Sequence, residues 1–201
     1  ENRSGQSSLF AERQENISKE VIKEYELALG TKYEMSSESP EELCPETIFS
    51  YVVAILNSPK YRTLFFSSLR HEIPKIPIPK CFDTFKKLAL HGSRMVSIYR
   101  LSGIGLNKLK THYPVSGNNC VERVALLGDR LYINDEQYFE NIPAKMYEQK
   151  LGGYTVLQKW LKDRKGHTLT FAEIVHFQKI IVALQELEKE AADIDAILDF
   201  E

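Results

Sequence analysis

Residues 151–187 constrain the fold more than any other stretch, because they specify two helices and the turn between them. The first helix is predicted by four apolar residues at helical spacing: Val156, Leu157, Trp160 and Leu161. A basic turn follows, with Gly166 suited to a positive φ at the helix end. Thr170 then fits the first position of a Ser/Thr-x-x-Glu capping box completed by Glu173, and apolar residues recur at helical spacing as far as Leu187. This predicts a long helix near the C-terminus.

Helical periodicity also predicts four earlier helices. The first covers residues 17–29 and ends near Gly30, and the second starts at Pro45 and is apolar on nearly all sides, which predicts a central position. The third is predicted from Pro59 to Leu69, with Tyr61, Leu64, Phe65 and Leu69 facing inward. A fourth, over residues 82–99, is predicted to be interrupted or bent near Gly92.

The segments between these helices favour extended structure. Prolines at 74, 77 and 79 predict a rigid extended strut over residues 73–80, because proline removes donors and fixes φ. Residues 102–119 indicate loops around a short strand, and residues 121–133 indicate a β-hairpin that turns at Gly128 and Asp129. We therefore predict a helix-dominated α+β domain with a long C-terminal helix and a small antiparallel hairpin or sheet. Residues 1–16 are predicted to be a linker or arm, and residues 17–201 one domain.

Several kinds of catalytic and cofactor site lack their motifs in this sequence. It has no Asn/Asp-Pro-Pro-aromatic motif, no GxGxxG and no phosphate-binding GxxxxGK[ST]. The three cysteines lack CxxC spacing, and the five histidines lack the spacing of metal ligands. We therefore expect neither catalysis, cofactor nor metal in this segment. No apolar run is long enough for a membrane span, so we expect no membrane partner and a cytoplasmic location.

Charge is strongly polarised along the chain although the net charge is only −2. Residues 58–110 contain eleven Lys/Arg and two Asp/Glu, and residues 145–167 contain six and two. Residues 1–57, by contrast, contain five Lys/Arg and eleven Asp/Glu. Basic blocks of this size indicate a surface that binds phosphate, and double-stranded DNA is the partner we expect.

The candidate DNA-binding residues fall into two groups. Phosphate contacts are expected from the two basic blocks: Lys60, Arg62, Arg70, Lys75, Lys80, Lys159, Lys162, Arg164, Lys165 and His167. A solvated basic helix end explains residues 162–165 equally well. Base contacts are expected from the irregular middle of the chain: Asn107, Lys108, Lys110, Asn118, Asn119 and Arg123. For Asn118 and Asn119, turn formation is the better explanation.

Three stretches of this chain resemble one known family. They are LGGYTVLQKWLKDRKGHTLTFAEIVHFQKIIVAL, IFSYVVAILNSPKYRTLFFSSLRHEIPKIPIPK and LYINDEQYFENIP, and they follow the family's order. The sequence resembles the C-terminal specificity region of Type ISP restriction-modification enzymes. Those large single chains join nuclease, helicase-like motor, adenine methyltransferase and target-recognition parts.

The resemblance implies a fragment of a longer multidomain enzyme. Its function would be sequence-specific recognition of double-stranded DNA, which positions the target for methylation or cleavage. The methyltransferase domain of the parent chain would be a partner, and S-adenosylmethionine, ATP and Mg²⁺ would serve that parent. The alternative is a helical scaffold that docks the methyltransferase and motor domains without binding DNA, with the acidic residues 186–201 as a protein contact.

Overall fold

A bundle of helices forms the first half of the computed structural model, which describes residues 16–200. The helices are α1 (Lys19–Leu29), α2 (Pro45–Asn57), α3 (Pro59–Leu64), α4 (Phe66–Leu69) and α5 (Phe82–Tyr99). The predicted helix from Pro59 to Leu69 is thus divided at Phe65, whose backbone leaves helical geometry (φ −101°, ψ 19°). The inward position predicted for Leu64 is wrong, because the break leaves that side chain 59% exposed.

Gly92 lies within an uninterrupted α5, so the predicted interruption there is wrong. A Cβ at this position would overlap the carbonyl oxygen of Ser50 and lie 3.1 Å from the backbone nitrogen of Ala54, both in α2. The glycine therefore allows α2 and α5 to cross at very short range. The central position predicted for α2 is confirmed, since it packs mainly on α5 and also contacts α3 and the last helix.

The proline-rich residues 73–80 form neither helix nor strand, as predicted. Two buried tyrosines of the helical bundle fix them in place. The hydroxyl of Tyr61 donates to the carbonyl oxygen of Lys75 at 2.8 Å, and that of Tyr51 donates to the carbonyl oxygen of Pro77. The strut is therefore hydrogen-bonded to the core of the bundle rather than standing apart from it.

Short strands and helices make up the second half of the fold. The predicted hairpin is confirmed as β1 (Ala125–Leu127) and β2 (Arg130–Tyr132), and β3 (Tyr138–Phe139) adds a third antiparallel strand. Then follow α6 (Ala144–Tyr147), a small β4 (Lys150–Leu151) and β5 (Tyr154–Thr155) hairpin, and α7 (Val156–Lys162). The short strand predicted within residues 102–119 is not formed.

Residues 115–119 do not pair as a strand but are fixed by hydrogen bonds to buried side-chain amides. Gln137 is 1% exposed, and its side chain donates to the carbonyl of Val115 and to the side chain of Asn119. Its amide oxygen accepts from the backbone N–H of Asn119 and from Asn134. The turn role preferred for Asn118 and Asn119 is confirmed, because both side-chain oxygens accept hydrogen bonds inside this network.

The last helix, α8 (Phe171–Ile197), joins two hydrophobic cores. Its capping box is formed as predicted, and the helix continues ten residues beyond Leu187. Residues such as Phe177 and Leu184 belong to the core of the second half, whereas Val182 and Ile194 belong to the core of the helical bundle. We call α1–α5 with their core the helical lobe, and residues 111–170 with theirs the sheet lobe.

The predicted fold class is confirmed: the domain is α+β, dominated by helices, with small antiparallel sheets. Among residues 16–200, no helix combines the length and the apolar character needed to cross a bilayer.

Candidate nucleic-acid interface

A groove lies where the two lobes meet, and it has a volume of about 540 Å³. Arg62 of α3 and Tyr99 of α5 line it from the helical lobe, while Lys145 and Lys150 line it from the sheet lobe. Its floor is the later part of α8, including Asp195. The groove therefore brings cations from the two basic blocks of the sequence to one place.

A second groove of about 400 Å³ lies on the sheet lobe and shares one lining residue, Lys150, with the first. It runs beside the β4–β5 hairpin and α7, and its cations are Lys150, Lys159 and Lys162. Tyr154 lies in it, 65% exposed, with the ammonium group of Lys159 at 5.5 Å from its ring centre. We call the two together the basic groove, defined by its cations Arg62, Lys145, Lys150, Lys159 and Lys162.

Two of these five cations are neutralised within the groove. Lys145 pairs with Glu188, and Lys159 pairs with Asp163 at 2.8 Å. The hydrogen bond to Asp163 also raises the pKa of Lys159. Among the described residues, no carboxylate pairs with the three others: Arg62, Lys150 and Lys162. The guanidinium of Arg62 donates only a 3.3 Å bond to the carbonyl of Asn57, so its charge stays available.

Sequence reasoning missed Lys145 and Lys150. Glu148 lies between them and lowers the net positive charge of the segment. The β4–β5 hairpin that presents Lys150 was also not predicted. The Gly152–Gly153 pair was the available signal, since Gly152 adopts φ 61° at the turn of this hairpin.

The remaining candidates of the first basic block are dispersed. The ammonium of Lys60 donates to the carbonyl of Leu198 at 2.6 Å, and the guanidinium of Arg70 lies 5.7 Å from the ring centre of Phe66. Lys75 is 3.7 Å from Glu72. Lys80 lines a different cavity, between the strut and the chain end after α8. Among the candidates of the first basic block, Arg62 therefore lines the basic groove.

In the second block, two candidates stabilise the start of α8. The Arg164 guanidinium stacks 3.6 Å from the ring centre of Trp160 and lies 3.5 Å from Glu173, and His167 Nε2 is 3.0 Å from the same carboxylate. The backbone N–H of Thr170, then His167 and the Thr170 hydroxyl, lower the pKa of Glu173 to about 2. Lys165 remains exposed, and no described residue pairs with its side chain.

Some candidates for base contacts form ion pairs within the domain, and others have uncommitted side chains. Lys110 pairs with Glu186 at 3.0 Å, and Arg123 lies 3.4 Å from Asp135. Asn107 and Lys108 are exposed, and no described residue bonds to their side chains. The loop after α5 therefore keeps the two candidates whose side chains are uncommitted.

One group of side chains in the described part of the chain has the spacing of metal ligands: His91, Glu190 and Asp193. His91 Nδ1 lies 2.6 Å from the carboxylate of Glu190, and Arg94 approaches the other oxygen at 3.9 Å. Glu190 is buried and is already surrounded by these two partners. The arrangement joins α5 to α8, and sequence spacing could not reveal it because its members come from both helices.

Comparison with known families places this fold. The model of the Type ISP C-terminal specificity domain matches residues 1–193. The chain belongs to this family. No protein with curated annotation is detectably similar to it.

Solved structures share the fold of this Type ISP specificity domain. A DrdV–DNA complex has a TM-score of 0.60 at 20% identity over 94% of this chain, and DNA-bound LlaBIII, a Type ISP restriction-modification enzyme, has 0.60 at 18% over 100%. A nuclease-deletion mutant of the Type ISP enzyme LlaGI, in complex with a DNA substrate mimic, has 0.53 at 17% over 77%. The chain spans 20%, 13% and 14% of these three chains, respectively.

Proposed function

We propose that this domain recognises a specific sequence in double-stranded DNA for a Type ISP restriction-modification enzyme. The observation that carries the proposal is the match to the specificity-domain family over residues 1–193. In this proposal the domain positions the target for an adenine methyltransferase domain of the same parent chain. S-adenosylmethionine, ATP and Mg²⁺ would act in that parent, outside this segment.

The geometry of the basic groove supports a DNA partner. A duplex carries one negative charge for about every 1.7 Å of its axis, so it favours surfaces where several cations lie in a row. Arg62 and Lys150 line the first groove, and Lys150 and Lys162 line the second, all three without carboxylate partners in the described chain. All three structural neighbours were determined with DNA or a DNA substrate mimic.

Exchange of the domain tests the proposal directly. Residues 16–200 of the full-length enzyme are replaced by the corresponding domain of another Type ISP enzyme, and methylated adenines are mapped by sequencing. We expect the methylated motif to change to that of the donor while methylation continues. An active chimera that keeps the original motif would refute the proposal.

The scaffold alternative assigns the acidic residues 186–201 to a protein contact. In this structure Glu186, Glu188 and Glu190 instead pair with Lys110, Lys145 and His91 of the same domain. Asp195 accepts from the backbone N–H of Lys60 at 3.1 Å and from the hydroxyl of Ser58. Because these carboxylates already have intramolecular partners, recognition of DNA is the better-supported function.

The basic groove is tested by the salt dependence of DNA binding. The variant Arg62→Gln/Lys150→Gln/Lys162→Gln of the full-length enzyme should bind its site more weakly, with a plot of log K against log salt less steep by about 2.7, since each lost phosphate contact removes about 0.9. The matched control is Lys19→Gln/Lys23→Gln/Lys32→Gln, which removes three exposed cations from in and near α1. Equal slopes for the two variants would exclude the groove as the phosphate contact.

A further inference from the structure

The loop that follows α5 presents an apolar side chain to solvent at its tip. Ile104 has a relative exposure of 106%, which means that none of residues 16–200 covers it. Gly103 and Gly105 flank it, and Gly105 adopts φ 95° with open space around it. A branched apolar side chain gains nothing from this position in the isolated domain, because burial is what stabilises such residues.

The tip is held on a fixed base. Leu106 is 2% exposed and belongs to the core of the helical lobe. The backbone N–H of Ser102 donates to the carbonyl of Ser97 at 3.0 Å, and that of Lys108 donates to Gly105 at 2.9 Å. Ile104 is therefore presented in a defined position, as a recognition element requires.

Both ends of the loop lie close to the basic groove. Tyr99, the last residue of α5, lines that groove. At the other end Lys110 pairs with Glu186, next to the groove residue Leu187. A duplex bound along the groove would therefore pass beside the two ends of this loop.

The exposed side chains of this loop match one kind of base pair. Asn makes two hydrogen bonds to N6 and N7 of adenine in the major groove, and an apolar side chain contacts the methyl group of thymine. Asn107 and Ile104 supply these two groups, and Lys108 supplies a cation for the adjacent phosphate. The other candidates for base contacts are already bonded within the domain: Lys110, Arg123, Asn118 and Asn119.

We infer that residues 103–108 read an A·T base pair of the target in the major groove, with Asn107 on the adenine and Ile104 on the methyl group of the thymine. This inference rests on the proposed function and specifies how it is carried out. It predicts that the recognised sequence contains at least one A·T pair whose identity depends on this loop.

The experiment uses the full-length enzyme and a set of duplexes in which each base pair of the site is varied in turn. For Asn107→Ala we expect discrimination to fall at one A·T position by about 5- to 140-fold, the range for loss of one bidentate contact. Discrimination at all other positions should be retained. Asn16→Ala, which removes another exposed asparagine, is the matched control.

Replacement of thymine by uracil tests Ile104, because it removes only the methyl group. At the same position the wild-type enzyme should bind the uracil duplex about 4-fold more weakly, the effect of burying one methyl group. Ile104→Ala should bind both duplexes equally. The control is Ile73→Ala, since Ile73 is 87% exposed on the strut and should leave the thymine preference intact.

Two results would overturn the inference. The first is an unchanged preference at every position in both loop variants. The second is that the loop variants bind every duplex of the set more weakly by the same factor. This result would assign Ile104 to a contact with another part of the enzyme. Neither result affects the domain-exchange experiment, so failure of the loop and failure of the proposed function can be distinguished.

Discussion

The two lobes are stabilised by different interactions although they share α8. The helical lobe is held by long helices and aromatic side chains such as Tyr51 and Phe85, whose ring centres are 5.1 Å apart. The sheet lobe has strands of two or three residues and is organised around the buried amides of Asn134 and Gln137. Close packing of helices therefore distinguishes the helical lobe, whereas the sheet lobe combines its own hydrophobic core with loops held by buried hydrogen bonds. Loops specified by a few polar side chains can differ in their exposed residues while the helical lobe stays the same.

The largest effect should come from the helix crossing in the helical lobe. Gly92→Ala places a methyl group on the carbonyl oxygen of Ser50, so α2 and α5 must separate. We expect the free energy of unfolding to fall by about 3 kcal/mol or more. Urea unfolding followed by circular dichroism measures it.

Gly153→Ala is the control for that substitution. Gly153 has no positive φ and no atom near its Cβ position, so the change should stay within about 0.5 kcal/mol. If Gly92→Ala had the same free energy of unfolding as the wild type, close helix packing would not define the helical lobe.

A smaller loss is expected from the amide network of the sheet lobe. Gln137→Ala leaves the carbonyl of Val115 and the N–H of Asn119 without their partner, which should lower the free energy of unfolding by about 2 kcal/mol. Fluorescence of Trp160, the single tryptophan, reports on this lobe. Gln158→Ala is the control, because the side-chain amide of Gln158 donates a long hydrogen bond of 3.5 Å to the carbonyl of Tyr147, and its loss should cost little. Equal stabilities of the two variants would contradict a lobe organised by buried amides.

The start of α8 belongs to the sheet lobe and should respond to pH. The folded-state pKa of Glu173 is lowered from 4.5 to about 2, so the stability it contributes is present above pH 4.5 and is lost as the pH falls towards 2. Glu173→Gln should therefore be less stable than wild type at about pH 6 and equally stable near pH 2. Thermal unfolding at both pH values measures the difference, with Glu24→Gln as control. A difference that persists near pH 2 would show that the carboxylate charge is not its cause.

The smallest effect should come from the exposed ion pair between Lys145 of the sheet lobe and Glu188 of α8. Lys145 and Glu188 are 81% and 51% exposed, so water screens their attraction. A double-mutant cycle with Lys145→Ala and Glu188→Ala should give a coupling energy below about 0.5 kcal/mol. A larger value would mean that surface charge, and not only apolar packing, holds the sheet lobe against α8.

The helical lobe was predictable from sequence because its signals are local. Pro45 marks the first residue of α2, and Gly30 directly follows the last residue of α1. The interruption predicted at Gly92 is wrong because the neighbour of Gly92, Ser50, lies on another helix, and sequence alone cannot distinguish a helix break from a close crossing. Local patterns therefore gave the helices but not their contacts.

The candidate interface was less predictable, for the same reason. Three of the residues predicted from the charge blocks, Arg62, Lys159 and Lys162, line the basic groove, whereas the pairing of Arg164 with Glu173 depends on how the chain folds back at α8. The groove itself forms where α3 and the β4–β5 hairpin meet on α8. Whether its residues contact DNA stays a prediction.

The single helix that enters both cores also sets their relative orientation. The 27 residues of α8 extend for about 40 Å, and each added or removed residue would turn one lobe against the other by about 100° and shift it by about 1.5 Å. Core residues of the two lobes alternate between Ile181 and Leu187, so an insertion there would displace residues of both cores and also misalign Arg62 with Lys162. In an evolving family, the length of this segment should be invariant while the surface of the helix changes freely.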